Sequence, residues 1–271
     1  MMTQKSVVLI TGAGRGIGAA TARLAASRGY AIAVNYKSNE AAAAGVVKGI
    51  EGDGGRAVAI RGDMANEDDV ERVFDDVDTS LGRLRHLVYN SGVTGQNSRF
   101  DSVATTTLRD VVDINVMGAF FAARAAIRRI SSKHGGSGGS MVFLSSAVAT
   151  LGAAGEYVWY AASKGAIDSL TIGLSRELAQ EGIRVNAVAP GAIDTDIHEP
   201  GRLARIAPQL PMGRVGSPQE VAQAILFLMS DASAYTSGTI LRVPAPADAK
   251  PHRACVLVVT AYDRRRGEGR S

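Results

Sequence analysis

One cysteine, Cys255, stands in 271 residues, and that scarcity removes several functions at once. A disulfide or a thiolate metal site needs more than one such side chain, so residues 1–243 can hold neither, and a reducing compartment fits. The four histidines, His86, His134, His198 and His252, are too scattered to make a ligand set, and no metal site is expected. No apolar stretch approaches the ~18 residues of a membrane span, and a short polar start runs directly into a strand pattern. Strong charge is missing too. The formal net charge is +4, but residues 244–271 hold Lys250, Arg253, Arg264, Arg265, Arg266 and Arg270 against Asp248, Asp263 and Glu268. The rest of the chain is therefore almost neutral and lacks the basic excess of a nucleic-acid binder. The expectation is a cytoplasmic protein with neither nucleic-acid nor membrane partners.

What is present is ordinary in amount and informative in order. Apolar residues make up 46% and charged residues 21%, with 31 glycines for tight turns. Residues 6–11 form a continuous β-branched run, as in a strand buried on both faces. Gly12-Ala13-Gly14-Arg15-Gly16-Ile17-Gly18 follows, then a helical pattern over 19–27. A strand, a glycine turn and a helix N-terminus allow close backbone approach to a pyrophosphate, whose charge the helix dipole favours. The spacing is Gly-x-x-x-Gly-x-Gly; a glycine-rich turn without a ligand is the plain alternative. A second strand over 30–34 ends at Asn35-Tyr36-Lys37-Ser38, where an NAD-preferring fold usually carries an acid. These positions are neutral or basic and Arg15 lies in the nearby loop, so NADP(H) is favoured over NAD(H). The alternative leaves Arg15 and Lys37 as solvated charges.

Strand patterns at 57–60, 86–89, 140–144, 183–188 and 239–243 alternate with helical ones at 39–52, 67–81, 108–130, 157–180 and 217–229. That alternation implies right-handed crossovers and an α/β fold: a Rossmann-type doubly wound parallel sheet of about seven strands with helices on both faces. Ser217-Pro218-Gln219-Glu220 reads as a capped helix start. Ligands in such sheets lie outside the carboxyl ends of the strands, where Gly12, Asn90 and Ser146 occur. Asn115 sits mid-helix with two readings, a polar role or a satisfied core amide. Residues 196–215 read as a lid over a substrate or as a surface excursion.

Tyr160 and Lys164 are four residues apart on one helix face. A cation there favours the phenolate and brings a phenol, normally near pKa ~10, toward general acid/base use.

Taken together, residues 5–243 resemble the short-chain dehydrogenase/reductase family, in particular its 3-oxoacyl-carrier-protein reductase-like or glucose dehydrogenase-like members. The carriers are Thr11-Gly12 through Gly18, Asp63, Asn90-Ser91-Gly92, Asn115, Ser146, Tyr160 with Lys164, and Pro190-Gly191-Ala192-Ile193-Asp194-Thr195. The resemblance implies that Tyr160 exchanges a proton with the substrate oxygen during hydride transfer. It implies that Lys164 lowers the tyrosine pKa and holds the nicotinamide ribose, that Ser146 bonds the substrate oxygen, and that Asn115 anchors a water. Gly12, Gly16 and Gly18, with Arg15 and Ile17 between them, would meet the pyrophosphate region, and Asn35 and Tyr36 the ribose. Asp63 and Met64 would meet the adenine, and Asn90 and Gly92 the central cofactor. Ile193 and Thr195, with Pro190 and Gly191, would meet the nicotinamide end. Tetramers are usual in the family, so a homo-oligomer (tetramer or dimer) is expected.

Three departures stand out. Ser146 precedes Tyr160 by fourteen residues, one more than the family's usual spacing, and Gly152-Ala153-Ala154-Gly155 is expected to absorb the extra residue as a wider turn. Ser91 replaces the usual Ala. Beyond a domain at 1–243, residues 244–271 depart from the family's short glycine-rich tail and form a basic extension expected to be poorly ordered. An added strand at 256–259 and an acidic partner for Arg264-Arg265-Arg266 are the sharper readings of that tail. The leading function is an NADP(H)-dependent oxidoreductase acting on a ketone or secondary alcohol. The alternatives are a dinucleotide-binding regulatory or scaffold protein with little catalysis, and an interaction protein acting through the tail. Glu156, Tyr157 and Trp159 are candidate substrate contacts.

Overall fold

Val7, Val8, Leu9 and Ile10 present apolar side chains to both faces, so the strand they form must be covered on both. The computed structural model, which describes residues 6–197 and 201–243, shows how. The expectations for 244–271 lie outside the described residues. Seven strands, β1 (Val7–Ile10), β2 (Ala31–Tyr36), β3 (Arg56–Arg61), β4 (Leu84–Tyr89), β5 (Gly139–Leu144), β6 (Ile183–Pro190) and β7 (Ile240–Val243), form one sheet in the order β3-β2-β1-β4-β5-β6-β7. Every neighbouring pair is parallel.

The helices are α1 (Gly16–Ser27), α2 (Glu40–Gly52), α3 (Glu67–Leu81), α4 (Thr105–Val112), α5 (Gly118–Ile130), α6 (Val148–Leu151), α7 (Val158–Glu177), α8 (Arg202–Ile206) and α9 (Pro218–Met229). Alternate residues of β1 feed two separate cores. Val7 and Leu9 pack with Phe74 of α3, Ala122 of α5 and Ile167 of α7. Val8 and Ile10 pack with Ala22 of α1, Val46 of α2 and Ile225 of α9. The chain leaves the β3 edge and returns on the other side of β1 as β4. The strand order therefore reverses between β1 and β4, opening a crevice at their carboxyl ends.

The expected capping box is present at α9: the Ser217 hydroxyl accepts from the Glu220 amide at 3.3 Å, and the Ser217 amide donates to the Glu220 carboxylate at 2.8 Å. One expectation needs correction. The helix expected over 108–130 is α4 and α5 joined by a π turn at Asp113–Met117. The Tyr89 hydroxyl donates to the Ile114 carbonyl at 2.5 Å, and Asn115 takes both its donor and its acceptor to the Val93 peptide at 2.9 Å. Such long-range partners stabilise an extra residue in the turn, which apolar periodicity does not register. Residues 196–215, read as a lid or a surface excursion, include the short helix α8 and a 3-10 turn at Ala207–Gln209.

His86 on β4 is 7% exposed, and its Nδ1 lies 2.9 Å from the Ser140 hydroxyl. That hydroxyl also donates to the Met229 carbonyl at 3.2 Å, so the imidazole nitrogen is the donor to Ser140. Burial, with Arg85 and Arg184 adding repulsion, pushes the imidazole down to about 3. The unfolded chain takes up this proton near pH ~6.5 and the folded one resists it, so stability falls as pH drops through that window. Between pH 7 and 5 the wild type is expected to lose about 2 kcal/mol more than His86→Gln. Urea unfolding of both proteins at each pH measures the difference.

Candidate active site

The crevice begins at the glycine turn after β1. Gly12 (φ +60°) and Gly16 (φ +54°) adopt the left-handed conformation that side chains avoid. Asn35, 1% exposed, holds the turn from beneath: its Oδ1 accepts from the Gly12 amide at 3.2 Å, and its Nδ2 donates to the Gly62 carbonyl at 3.0 Å. Asn90 clamps the other side, donating from Nδ2 to the Thr11 and Gly12 carbonyls at 3.0 and 3.1 Å. A Cβ on Gly18 would lie 2.7 Å from Asn90 Nδ2 and 2.8 Å from the Gly12 carbonyl. Gly18 is therefore required by packing under the turn.

At the β2 end, Lys37 pairs with Asp63 at 2.7 Å, and Arg15 reaches Asp196 at 3.4 Å across the mouth of the crevice. Both cations expected to be open to a phosphate thus already face carboxylates. The Asp63 carboxylate also accepts from the Ala65 amide at 3.1 Å, while Met64 is 3% exposed beneath it.

At the other end, β5 delivers Ser145 and Ser146, and α7 presents Tyr160 and Lys164. Ser146, and not the buried Ser145, is the serine that acts on the Tyr160 phenol. Burial pushes the phenol up to about 12, and the Ser146 bond only partly offsets this. Lys164 is 4% exposed, donates to the Leu144 carbonyl at 2.6 Å, and is brought down by burial to about 8. Its Nζ lies 5.6 Å from the centre of the Tyr160 ring. The ammonium is thus engaged by a backbone oxygen, and burial rather than the cation dominates the phenol. A Cβ on Gly92 would lie 3.3 Å from Asn115 Oδ1 and 3.4 Å from Lys164 Nζ, so Gly92 fits against both. Asn115 donates to the Ser163 hydroxyl at 3.0 Å as well as to Val93, so the satisfied-amide reading describes its side chain.

These features share one cavity of about 960 Å³. Gly12, Arg15, Gly16, Ile17, Asn35, Asp63, Met64, Asn90, Gly92, Ser146, Tyr160, Lys164, Pro190, Gly191, Ile193 and Thr195 all line it. Gly18, Tyr36 and Asn115 do not: Gly18 lies under the turn, Tyr36 packs against the α1–α2 core, and Asn115 lies behind Gly92. Of the substrate candidates, Glu156 and Tyr157 line the cavity, but Trp159 turns away and donates to the Thr94 carbonyl at 2.7 Å. From the 196–215 segment read as a lid, Arg202, which pairs with Glu156 at 2.8 Å, Ile206 and Leu210 line the cavity, as do Val148 and Leu151, which the sequence reading missed. The wider turn before α7 has Gly152, Ala153 and Gly155 all at positive φ, at +80°, +47° and +74°. Ala153 is the one non-glycine residue there, a strained position in a wall of the cavity.

A parallel doubly wound sheet with a glycine turn at its switch point and a Ser–Tyr–Lys group across the crevice defines a Rossmann-type α/β oxidoreductase class. A family model described as enoyl-(acyl carrier protein) reductase matches residues 12–245, and the chain belongs to the short-chain dehydrogenase/reductase family. It is 44% identical over 240 residues to the uncharacterized oxidoreductase YgfF of Escherichia coli (strain K12), covering 87% of this chain and 97% of that protein. It is 34% identical over 238 residues to a 3-oxoacyl-[acyl-carrier-protein] reductase of Synechocystis sp., covering 88% and 94%. The crystal structure of a short chain dehydrogenase from Burkholderia cenocepacia J2315 in complex with NADP superposes with a TM-score of 0.85 at 33% identity, covering 92% of this chain and 99% of that one. Among the described residues no helix is long and apolar enough to cross a membrane.

Proposed function

We propose that the chain is an NADP(H)-dependent oxidoreductase that interconverts a ketone and a secondary alcohol, with Tyr160 as general acid/base. The observation that carries this reading is the half-buried Tyr160 phenol with Ser146 acting on it, in the same cavity as the glycine turn. The glycine turn fits a dinucleotide: its two left-handed glycines leave backbone where side chains would otherwise project. Gly12, Gly16 and Ile17 would hold the pyrophosphate, Asp63 and Met64 the adenine end, and Lys164 the nicotinamide ribose. When bound, the dinucleotide supplies or accepts the hydride. Ser146 and Tyr160 donate hydrogen bonds to the carbonyl oxygen as it gains charge, and the Tyr160 proton passes to it. The test is a screen of cofactor oxidation over acyl thioesters, sugars, steroids and small ketones, with Tyr160→Phe as control.

Preference for NADP(H) rests on Lys37 and Arg15. Their pairs with Asp63, partly exposed, and Asp196, exposed, are surface ion pairs worth only ~0–1 kcal/mol. A doubly charged 2′-phosphate can displace such partners at little cost. NADPH is expected to bind about tenfold more tightly than NADH, and Lys37→Glu to reverse the order. Fluorescence titration of both dinucleotides against both proteins reads this directly, and equal affinities for the wild type would overturn it.

A homo-oligomer, dimer or tetramer, accompanies this reading. Val112, Met117 and Phe120 on the α4–α5 helix, and Ile172 on α7, leave large apolar side chains exposed. Light scattering of the full chain is the check. A reducing, cytoplasmic setting accords with a chain whose one cysteine is Cys255.

A further inference from the structure

One half-buried carboxylate has no place in the mechanism above. Asp168 lies on α7, four residues after Lys164 and eight after Tyr160, so the three side chains follow one slowly turning stripe of the helix. Its Oδ1 is buried and lacks a hydrogen-bond partner among the described residues. An orphaned carboxylate oxygen is costly in a packed interior unless nearby positive charge offsets it. Two cations flank it. They are Lys164 and Arg242 of β7, which both line the cavity, Arg242 donating to the Thr150 hydroxyl at 2.9 Å. The Ser145 hydroxyl donates to the Lys164 carbonyl at 3.4 Å and, at the end of β5, helps to draw the Asp168 carboxyl down.

We propose that Asp168 is a positioning residue for the reacting centre, which keeps the Lys164 ammonium charged and seated against the Leu144 carbonyl from one helical turn behind it. The inference rests on the oxidoreductase reading for its consequence, though not for its geometry. Lys164 and Asp168 form no ion pair within 4 Å, so the effect acts through space. Inside the fold such an interaction is screened far less than at the surface. The charged or titratable groups acting on this stripe are Tyr160 and Lys164 on α7 and Arg242 on β7; Ser145 and Ser146 at the end of β5 and Asn115 on the π turn add only neutral dipoles. Of the charged ones, Asp168 alone is an acid, and it is the one charge that favours the protonated lysine. Burial raises Asp168 itself, and Ser145, Arg242 and Lys164 draw it back down, so Arg242 helps to keep the carboxylate ionised for its partner.

The experiment follows the lysine directly. In protein labelled with carbon-13 at lysine Cε, the Lys164 resonance is assigned by its loss in Lys164→Met and then titrated. Asp168→Asn and Asp168→Ser are expected to lower its midpoint by roughly one pH unit, and Asp168→Glu to restore it. The alkaline limb of kcat/KM for carbonyl reduction should move with it by the same amount, with little change in KM below pH 7. A midpoint unchanged in both folded variants would overturn the inference. The titration is read on the protein itself, so it can succeed where Tyr160→Phe shows the oxidoreductase reading to be wrong, and fail where that reading holds.

Discussion

Tyr160→Phe is expected to lower kcat/KM for carbonyl reduction by roughly a thousandfold while changing the NADPH dissociation constant by less than about threefold. The substitution removes one oxygen from a half-buried ring and leaves its packing beside Val111 and Trp159 intact. What disappears is the proton donor and the partner of Ser146. With the phenol pushed up to about 12, it is fully protonated at pH 7, the form that reduction consumes. Alcohol oxidation needs the phenolate instead, and its rate should climb about tenfold per pH unit through the neutral range. The two directions should therefore respond to pH with opposite preference, and initial rates from pH 6 to 9 record both. A variant that keeps more than about a tenth of wild-type turnover would remove Tyr160 from the chemistry.

Where the cavity lies was legible from short local signals. Glycines twelve, sixteen and eighteen follow a β-branched run, and the Tyr160–Lys164 spacing is a property of one helix, so neither needs knowledge of distant segments. The parallel sheet followed from alternation with helices, and the capping box at Ser217 from four consecutive residues. What the sequence did not disclose depends on partners far along the chain. The π turn at Asp113–Met117 comes from Tyr89 and Val93, more than twenty positions away. Lys37 and Arg15 looked like open cations because Asp63 and Asp196 meet them only in the folded chain. The expectation that Lys164 governs the Tyr160 proton overlooked burial, which acts on both groups and in opposite senses. Asp168 drew no attention because a single acid on a helix usually faces solvent, and only the packing of α7 against β5 and β6 half-buries it.

Lys164→Met should separate what the site does for chemistry from what it costs the fold. A lysine brought down to about 8 from 10.5 is bound more tightly to its proton in the unfolded chain. The sign follows: the penalty on folding is fully present below pH 8 and is relieved as pH rises toward the unfolded value. At pH 7 it is worth about 3 kcal/mol. Methionine fills similar space without that penalty, but it leaves the Leu144 carbonyl without its donor, which costs ~1–3 kcal/mol. At pH 7 the variant should therefore equal the wild type or exceed it by about 2 kcal/mol. At pH 10 most of the wild type's penalty is gone, so the variant should be the less stable of the two. Urea unfolding at both pH values tests this crossing, while turnover is expected to fall by more than about a hundredfold at either. A variant less stable than the wild type by the same margin at both values would mean that Lys164 enters the folded state without a desolvation penalty.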